Sequence, residues 1–156
     1  MSASNLQTAG ITIARVDGDR CPCMPLLLVG DESEKMISRY LDRATLYAAR
    51  LGDRMVAVCA VTDESPSLVE IKNLAVSADM RRRGIGRAML TYVERLNRGK
   101  TIQLGTGETP STLRFYRGCG YRETHRVPGF FTCNYDHPII EEGVTLRDMI
   151  YLAKQA

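Results

Sequence analysis

Arginine and glycine residues between positions 81 and 87 have the types and spacing to bind a phosphorylated ligand. The group is Arg81, Arg82, Arg83, Gly84, Ile85, Gly86 and Arg87. Gly84 and Gly86 let the backbone approach an anion closely. If a helix begins there, its free N–H groups and the positive end of its dipole face that anion. The segment therefore predicts a pyrophosphate site, although a solvated basic surface is an alternative reading of the arginines alone.

A strand and a helix must position this segment. The strand begins at Leu68, and its β-forming residues alternate with Glu70 and Lys72. The alternation breaks over residues 73–76, where an extra residue would form a β-bulge and redirect the backbone groups that follow. The helix is indicated by apolar residues at helical spacing, namely Ile85, Met89, Leu90, Val93 and Leu96.

The pattern Arg81-x-x-Gly84-x-Gly86, preceded by Asn73-Leu74-Ala75-Val76, resembles the acetyl-CoA motif of the GNAT superfamily of N-acetyltransferases. A dinucleotide fingerprint would need three glycines in a parallel βαβ unit, and a P-loop would need Gly-Lys-Ser/Thr. The resemblance implies that the cofactor arm pairs with the bulged strand and that the pyrophosphate lies on the glycine loop. It implies cofactor contacts from Leu74, Ala75, Val76, Arg81, Arg82, Arg83, Gly84, Ile85, Gly86, Arg87 and Ser111.

Tyr116 is the candidate general acid, the group that would give a proton to the thiolate of the departing cofactor. The segment from Ser111 to Tyr121 resembles the second motif of the family, in which a tyrosine lies beside the cofactor sulfur. A phenol can donate a hydrogen bond to that sulfur and protonate the departing thiolate. The alternative is a core aromatic residue on an amphipathic helix. The family often carries asparagine seven residues earlier, where this chain has Thr109.

Glu70 is the candidate base, because it lies on the strand fourteen positions before Gly84, as the base glutamate does in the histone acetyltransferase branch. Its carboxylate would accept the amine proton through a water. The alternative is an exposed residue that pairs with Lys72. His125 and His137 are expected to be loop or surface residues rather than a second base.

The order of elements predicts an α/β fold with one mixed sheet. Strands are expected at 11–16, 45–51, 55–61, 68–76, 101–105, 121–126 and 144–152, and helices at 25–29, 32–43, 85–98 and 109–118. Residues 45–76 form an antiparallel meander, and the helix 85–98 connects two parallel strands. With the resemblance, this is the GNAT fold: a mostly antiparallel sheet with a parallel pair splayed around the cofactor, and helices on both faces.

Length and composition limit the classes of function. The 156 residues suit a flexible tail at 1–10 and a single domain at 11–156. A net charge of +3 is too mild to indicate nucleic acid. No apolar run approaches ~20 residues, so no membrane partner is expected. The 5 cysteines favour the cytoplasm, and the absence of a histidine or cysteine cluster argues against a metal.

The aromatic segment 130–143 resembles the corresponding segment of the small YvbK-like bacterial acetyltransferases, a likeness that extends over about residues 68–152. Its aromatic residues would form a wall of the acceptor pocket, a homodimer contact or ordinary packing. The sequence thus predicts an acyltransferase that moves acetyl from acetyl-CoA to a small-molecule or peptide primary amine in a ternary complex. A non-catalytic CoA-binding or sensor domain is the alternative.

Overall fold

Residues 10–156 are described by this computed structural model and form one mixed sheet with helices on both faces. The strands are β1 (Ile11–Arg15), β2 (Thr45–Leu51), β3 (Arg54–Ser65), β4 (Leu68–Val76), β5 (Thr101–Thr106), β6 (Arg122–Val127), β7 (Ile140–Glu141), β8 (Val144–Thr145) and β9 (Met149–Gln155). The helices are α1 (Met24–Gly30), α2 (Glu34–Ser38), α3 (Ile85–Leu96), α4 (Pro110–Gly118) and α5 (Phe130–Asn134). Except for Gly10, the predicted tail lies outside the described residues.

Seven strands form the main sheet in the order β1-β2-β3-β4-β5-β9-β6, and β7 and β8 form a separate hairpin. The strands β1 to β4 are antiparallel neighbours, β4 and β5 are parallel, and β9 is antiparallel to both β5 and β6. The helix α3 connects the parallel pair. The predicted meander, the crossover helix and the mixed sheet are therefore confirmed.

A β-bulge interrupts β4 at Lys72. Ile71 pairs with Val61 and Asn73 pairs with Ala60, so Lys72 is an extra residue with no counterpart in β3. The sequence predicted a bulge within 73–76, and the structure has it one position earlier. Because side chains alternate along a strand, one extra residue exchanges the two faces for every position that follows.

The exchange of faces is visible in the packing. Before the bulge, Ile71 packs in the core that α3 and α4 cover, and after it Leu74 and Val76 pack against that same core. Ala75 packs on the opposite face with Leu27 of α1. The strand therefore contributes to both layers, and the bulge sets which residues serve which layer.

The parallel strands separate beyond the bulge. Residues 68–71 of β4 pair with residues 101–104 of β5, whereas residues 72–76 have no partner in β5. The strand β5 continues to Thr106 alongside β9 instead. A gap opens in the middle of the sheet, and one edge of β4 keeps free backbone groups there.

Two elements differ from the sequence prediction. The expected helix 32–43 is the short α2, followed by a separate 3₁₀ turn at Leu41–Arg43. The Arg20 guanidinium donates to the Leu41 and Ala44 carbonyls at 2.5 and 2.6 Å. These bonds give partners to carbonyl groups that have none within a helix at its C-terminal end. The expected strand 144–152 is split into β8 and β9, and Asp148 between them accepts a hydrogen bond from the Gly129 N–H at 2.9 Å.

Phe131 and Ile139 of the segment 130–143 form a small separate core with Leu146, which follows β8. The segment is joined to the end of α1 by the Tyr135 hydroxyl, which donates to Asp31 Oδ1 at 2.9 Å. Among residues 10–156, no helix has the length and apolar character needed to cross a membrane.

Candidate active site

A cavity of about 940 Å³ occupies the gap between β4 and β5. The predicted residues on its wall are Leu74, Ala75, Val76, Arg81, Arg82, Gly84, Ile85, Gly86, Arg87, Ser111 and Tyr116. Arg83 and Glu70 are not on the wall. Residues 29 and 30 of α1 also line the cavity, so it reaches both faces of the sheet.

Gly84 begins the anion-binding end of the cavity. It is the N-cap of the 12-residue helix α3 and has a φ of +80°, a conformation that glycine adopts without strain. No side chain of the described residues caps the N-terminus of this helix. Ile85 is buried and fixes the first turn against the core. The N–H groups of that turn remain available to an anion.

Two of the arginines on the wall, Arg81 and Arg87, make hydrogen bonds that fix their positions. Arg81 Nε donates to the Val76 carbonyl at 3.3 Å, which ties the loop to the end of β4. Arg87 Nη2 donates to the Gly118 carbonyl at 3.1 Å, at the end of α4. Each guanidinium has further N–H groups that can meet a phosphate.

Tyr116 lies on α4, between the cavity and the core. Its ring packs edge-on against Phe115 and Tyr121, with centroids 5.1 and 6.0 Å away, and 9% of the residue is exposed. Burial raises the pKa of Tyr116 above that of a free phenol. The hydroxyl therefore stays protonated, and it is bonded to no other residue of 10–156.

Glu70 is buried beside the cavity. Gln103 Nε2 donates to its carboxylate at 2.5 Å, and Lys72 forms an ion pair with it. Lys72 itself lines the cavity. The sequence alternative of an exposed Glu70 is wrong because both faces of β4 are covered, although the ion pair that it proposed is present. A base role for Glu70 would require a water between its carboxylate and the cavity.

Glu141 and Glu142 line the cavity and were not anticipated from the sequence. Thr109 Oγ1 donates to Glu141 Oε2 at 2.6 Å. Ser111 donates to the Glu142 carboxylate through both its hydroxyl and its backbone N–H, the latter at 3.4 Å. The β7–β8 hairpin is thus fastened to the first turn of α4, and the groups of Ser111 expected to meet the cofactor are engaged by Glu142.

Asn73 also lines the cavity. The sequence places it in the motif Asn73-Leu74-Ala75-Val76 but predicts no role for its side chain. Its Nδ2 donates to the Leu27 carbonyl at 2.9 Å and to the Tyr40 hydroxyl at 3.1 Å. The two histidines lie elsewhere: His125 stacks on Tyr151, and the neighbouring acids Asp136 and Glu32 raise the pKa of His137.

Comparisons with known proteins agree with this geometry. The Acetyltransferase (GNAT) domain family matches residues 42–123. YvbK of Bacillus subtilis, an uncharacterized N-acetyltransferase, is 32% identical over 152 residues, which span 95% of this chain and 97% of the relative.

Two solved structures have the same fold over nearly their whole length. The IAA acetyltransferase from Bacillus cereus is 32% identical with a TM-score of 0.87, and the match spans 94% of this chain and 99% of the other. A GNAT family acetyltransferase from Elizabethkingia anophelis with acetyl-CoA bound is 30% identical with a TM-score of 0.89, over 95% and 99% of the two chains.

Proposed function

This chain belongs to the GNAT family of acetyltransferases, and from that premise we propose that it moves acetyl from acetyl-CoA to a primary amine by direct transfer. The observation that carries the proposal is a continuous cavity between the splayed strands, which is lined at one end by Gly84 and Gly86 and elsewhere by Tyr116. The acetyl-CoA bound by the relative from Elizabethkingia anophelis supports this choice of donor.

The donors on the cavity wall fit a long anionic molecule. The first turn of α3, with Arg81, Arg82 and Arg87, would hold the pyrophosphate. The free edge of β4 over residues 74–76 would pair with the amide groups of the cofactor arm. Arg83, beside the wall, would contribute charge. Ser111 would contact the cofactor only after exchanging Glu142 for it.

Bound acetyl-CoA would supply the reaction with an acetyl group already activated as a thioester. Tyr116 would donate the proton that the departing thiolate needs, a role that suits a buried phenol whose pKa is raised. Glu70 would take the proton from the amine through a water. Backbone N–H groups over residues 74–76 would donate to the acetyl oxygen.

The acceptor would enter from the face covered by α1, because Val29 and Gly30 line that side of the cavity. The segment 130–143 borders the same side through the contact between Tyr135 and Asp31. A small-molecule or peptide amine remains the proposed acceptor class, and a homodimer contact through this segment stays a prediction.

The test is thiol release from acetyl-CoA with polyamines, aminoglycosides, amino acids and short peptides, beside a reaction without acceptor. We expect release that depends on at least one amine, and mass spectrometry should find acetyl on its nitrogen. Acetyl-CoA should also raise the melting temperature in the absence of amine. Thiol release at the acceptor-free rate with every amine would contradict the proposed function.

A further inference from the structure

Asn73 Oδ1 is a buried acceptor without a partner. Among the buried side-chain nitrogen and oxygen atoms of residues 10–156, it is the one that makes no hydrogen bond within the protein. Asn73 is 5% exposed and lies on the cavity wall. An unpaired buried carbonyl is costly, so a ligand that donates to it gains a hydrogen bond that the free protein lacks.

The orientation of the amide follows from its neighbours. The Leu27 carbonyl can only accept, so the NH₂ group of Asn73 must face it. Nδ2 also donates to the Tyr40 hydroxyl at 3.1 Å. With the NH₂ end held between α1 and the turn after α2, the carbonyl end faces the other way and cannot rotate without losing both bonds.

The absence of a side chain at Gly30 makes room for this oxygen. A Cβ built at Gly30 would lie 2.0 Å from Asn73 Oδ1, far inside contact distance. The φ of Gly30 is not in the left-handed region, so the backbone conformation gives no reason for glycine there. The missing side chain is therefore explained by Asn73. Both residues line the cavity.

Asn73 and Tyr116 approach the cavity from opposite faces of the sheet. Asn73 follows the bulge and points to the face covered by α1, whereas Tyr116 belongs to the core beneath α3 and α4. In the proposed reaction, a thiolate leaves and a nitrogen arrives. Tyr116 would serve the departing sulfur from its own face, and Val29 and Gly30 line the opposite side of the cavity, from which the amine is proposed to enter.

We propose that Asn73 positions the acceptor nitrogen by accepting a hydrogen bond from one of its N–H groups, an inference that rests on the proposed function. A carboxylate at this place would favour the charged ammonium, which has no lone pair with which to attack. A neutral amide oxygen accepts from a neutral amine without raising its pKa in this way. Asn73 would thus hold the nucleophile in its reactive form.

The experiment compares Asn73→Ala, Asn73→Asp and the control Tyr40→Phe, using the amine that the wild type acetylates with the highest kcat/KM. Tyr40→Phe removes one partner of Nδ2 but leaves Oδ1 in place. We expect Asn73→Ala to raise the KM for the amine about tenfold, as for one lost hydrogen bond, and to leave the KM for acetyl-CoA unchanged. Asn73→Asp retains an oxygen but introduces the carboxylate that favours the ammonium form, so its kcat should stay below that of the wild type. Tyr40→Phe should lower the melting temperature without raising the amine KM.

Three results would overturn the inference. A rise in the KM for acetyl-CoA alone would assign Oδ1 to the cofactor arm, and unchanged KM values would leave Asn73 a structural role only. An equal rise of the amine KM in Tyr40→Phe would attribute the effect to local packing. If Asn73→Ala does not fold, Asn73→Leu takes its place, since it keeps the volume of the side chain, lacks Oδ1 and should raise the amine KM in the same way. A wild type without amine-dependent release would refute the proposed function itself, and the inference with it.

Discussion

Replacing Tyr116 by phenylalanine should abolish most of the turnover while leaving the fold and the cofactor affinity intact. The Tyr116 hydroxyl is bonded to no other residue of 10–156, so its removal leaves no partner unsatisfied. The change in the free energy of unfolding should stay within about 0.5 kcal/mol, or about 2 °C in melting temperature. Loss of a positioned proton donor typically lowers kcat by about 10²–10⁴-fold.

A neighbouring tyrosine provides the matched control. Tyr121 is 1% exposed, and its hydroxyl donates to Glu94 Oε2 at 3.0 Å, away from the cavity wall. Tyr121→Phe leaves a carboxylate short of a hydrogen bond, which should cost about 1–3 kcal/mol and lower the melting temperature by about 2–10 °C. Its kcat below the melting temperature should stay close to that of the wild type.

The assay measures thiol release at saturating amine and acetyl-CoA, together with the melting temperature with and without acetyl-CoA. The two variants should give opposite outcomes: Tyr116→Phe loses kcat and keeps stability, whereas Tyr121→Phe loses stability and keeps kcat. A kcat for Tyr116→Phe within about threefold of the wild type would refute the assignment of Tyr116 as proton donor.

The remaining predictions concern the anion site, the pH dependence and the hairpin. Gly84→Ala places a methyl group at a φ of +80°, which should cost about 1–2 kcal/mol and raise the KM for acetyl-CoA. Gly99→Ala, at a φ of +83° with open space around it, should cost the same and leave that KM unchanged. Equal KM values in the two variants would contradict the anion site. Because the pKa of Tyr116 is raised, this phenol stays protonated, and kcat/KM should rise with pH as the amine loses its proton; a falling limb below about pH 9 that disappears in Tyr116→Phe would show that this phenol titrates there and would contradict its raised pKa. Glu142→Gln removes a negative charge from the cavity wall and should lower the KM for the anionic acetyl-CoA about two- to fivefold, while Glu108→Gln, off the wall, should not; an unchanged or higher KM in Glu142→Gln would show that this carboxylate does not oppose the cofactor.

Local patterns in the sequence were sufficient for the sheet and for the anion-binding segment. The strand alternation, the Gly52-Asp53 turn and the apolar spacing of α3 are properties of neighbouring residues, so β2, β3 and α3 were located to within a few positions. Gly84 and Gly86 can be recognised from the local sequence in the same way, because few residue types other than glycine suit a loop whose backbone must approach an anion closely.

Contacts between distant segments could not be read from the sequence. Glu142 meets Ser111 across 31 positions, and Asn73 meets Leu27 across 46. The sequence around Glu142 or Asn73 does not distinguish either residue from the polar residues of an ordinary turn or strand. A weak signal existed for the hairpin, since Glu141-Glu142-Gly143 is a turn-forming sequence, and for Asn73, which is a poor β-former in the middle of a strand.

The bulge at Lys72 divides β4 into two parts whose side chains alternate out of phase with each other. Odd-numbered residues before the bulge and even-numbered residues after it face the same side of the sheet. Ile71 and Leu74 therefore both pack in the core beneath α3 and α4, while Asn73 faces α1. Substitutions along this strand can be judged one side chain at a time. The deletion of Lys72 would leave the later side chains on their present faces, because Ile71 and Asn73 already pair with adjacent residues of β3, but it would remove the bulge at which β4 separates from β5. Among natural variants, the number of residues in this strand should therefore be more constant than their identities.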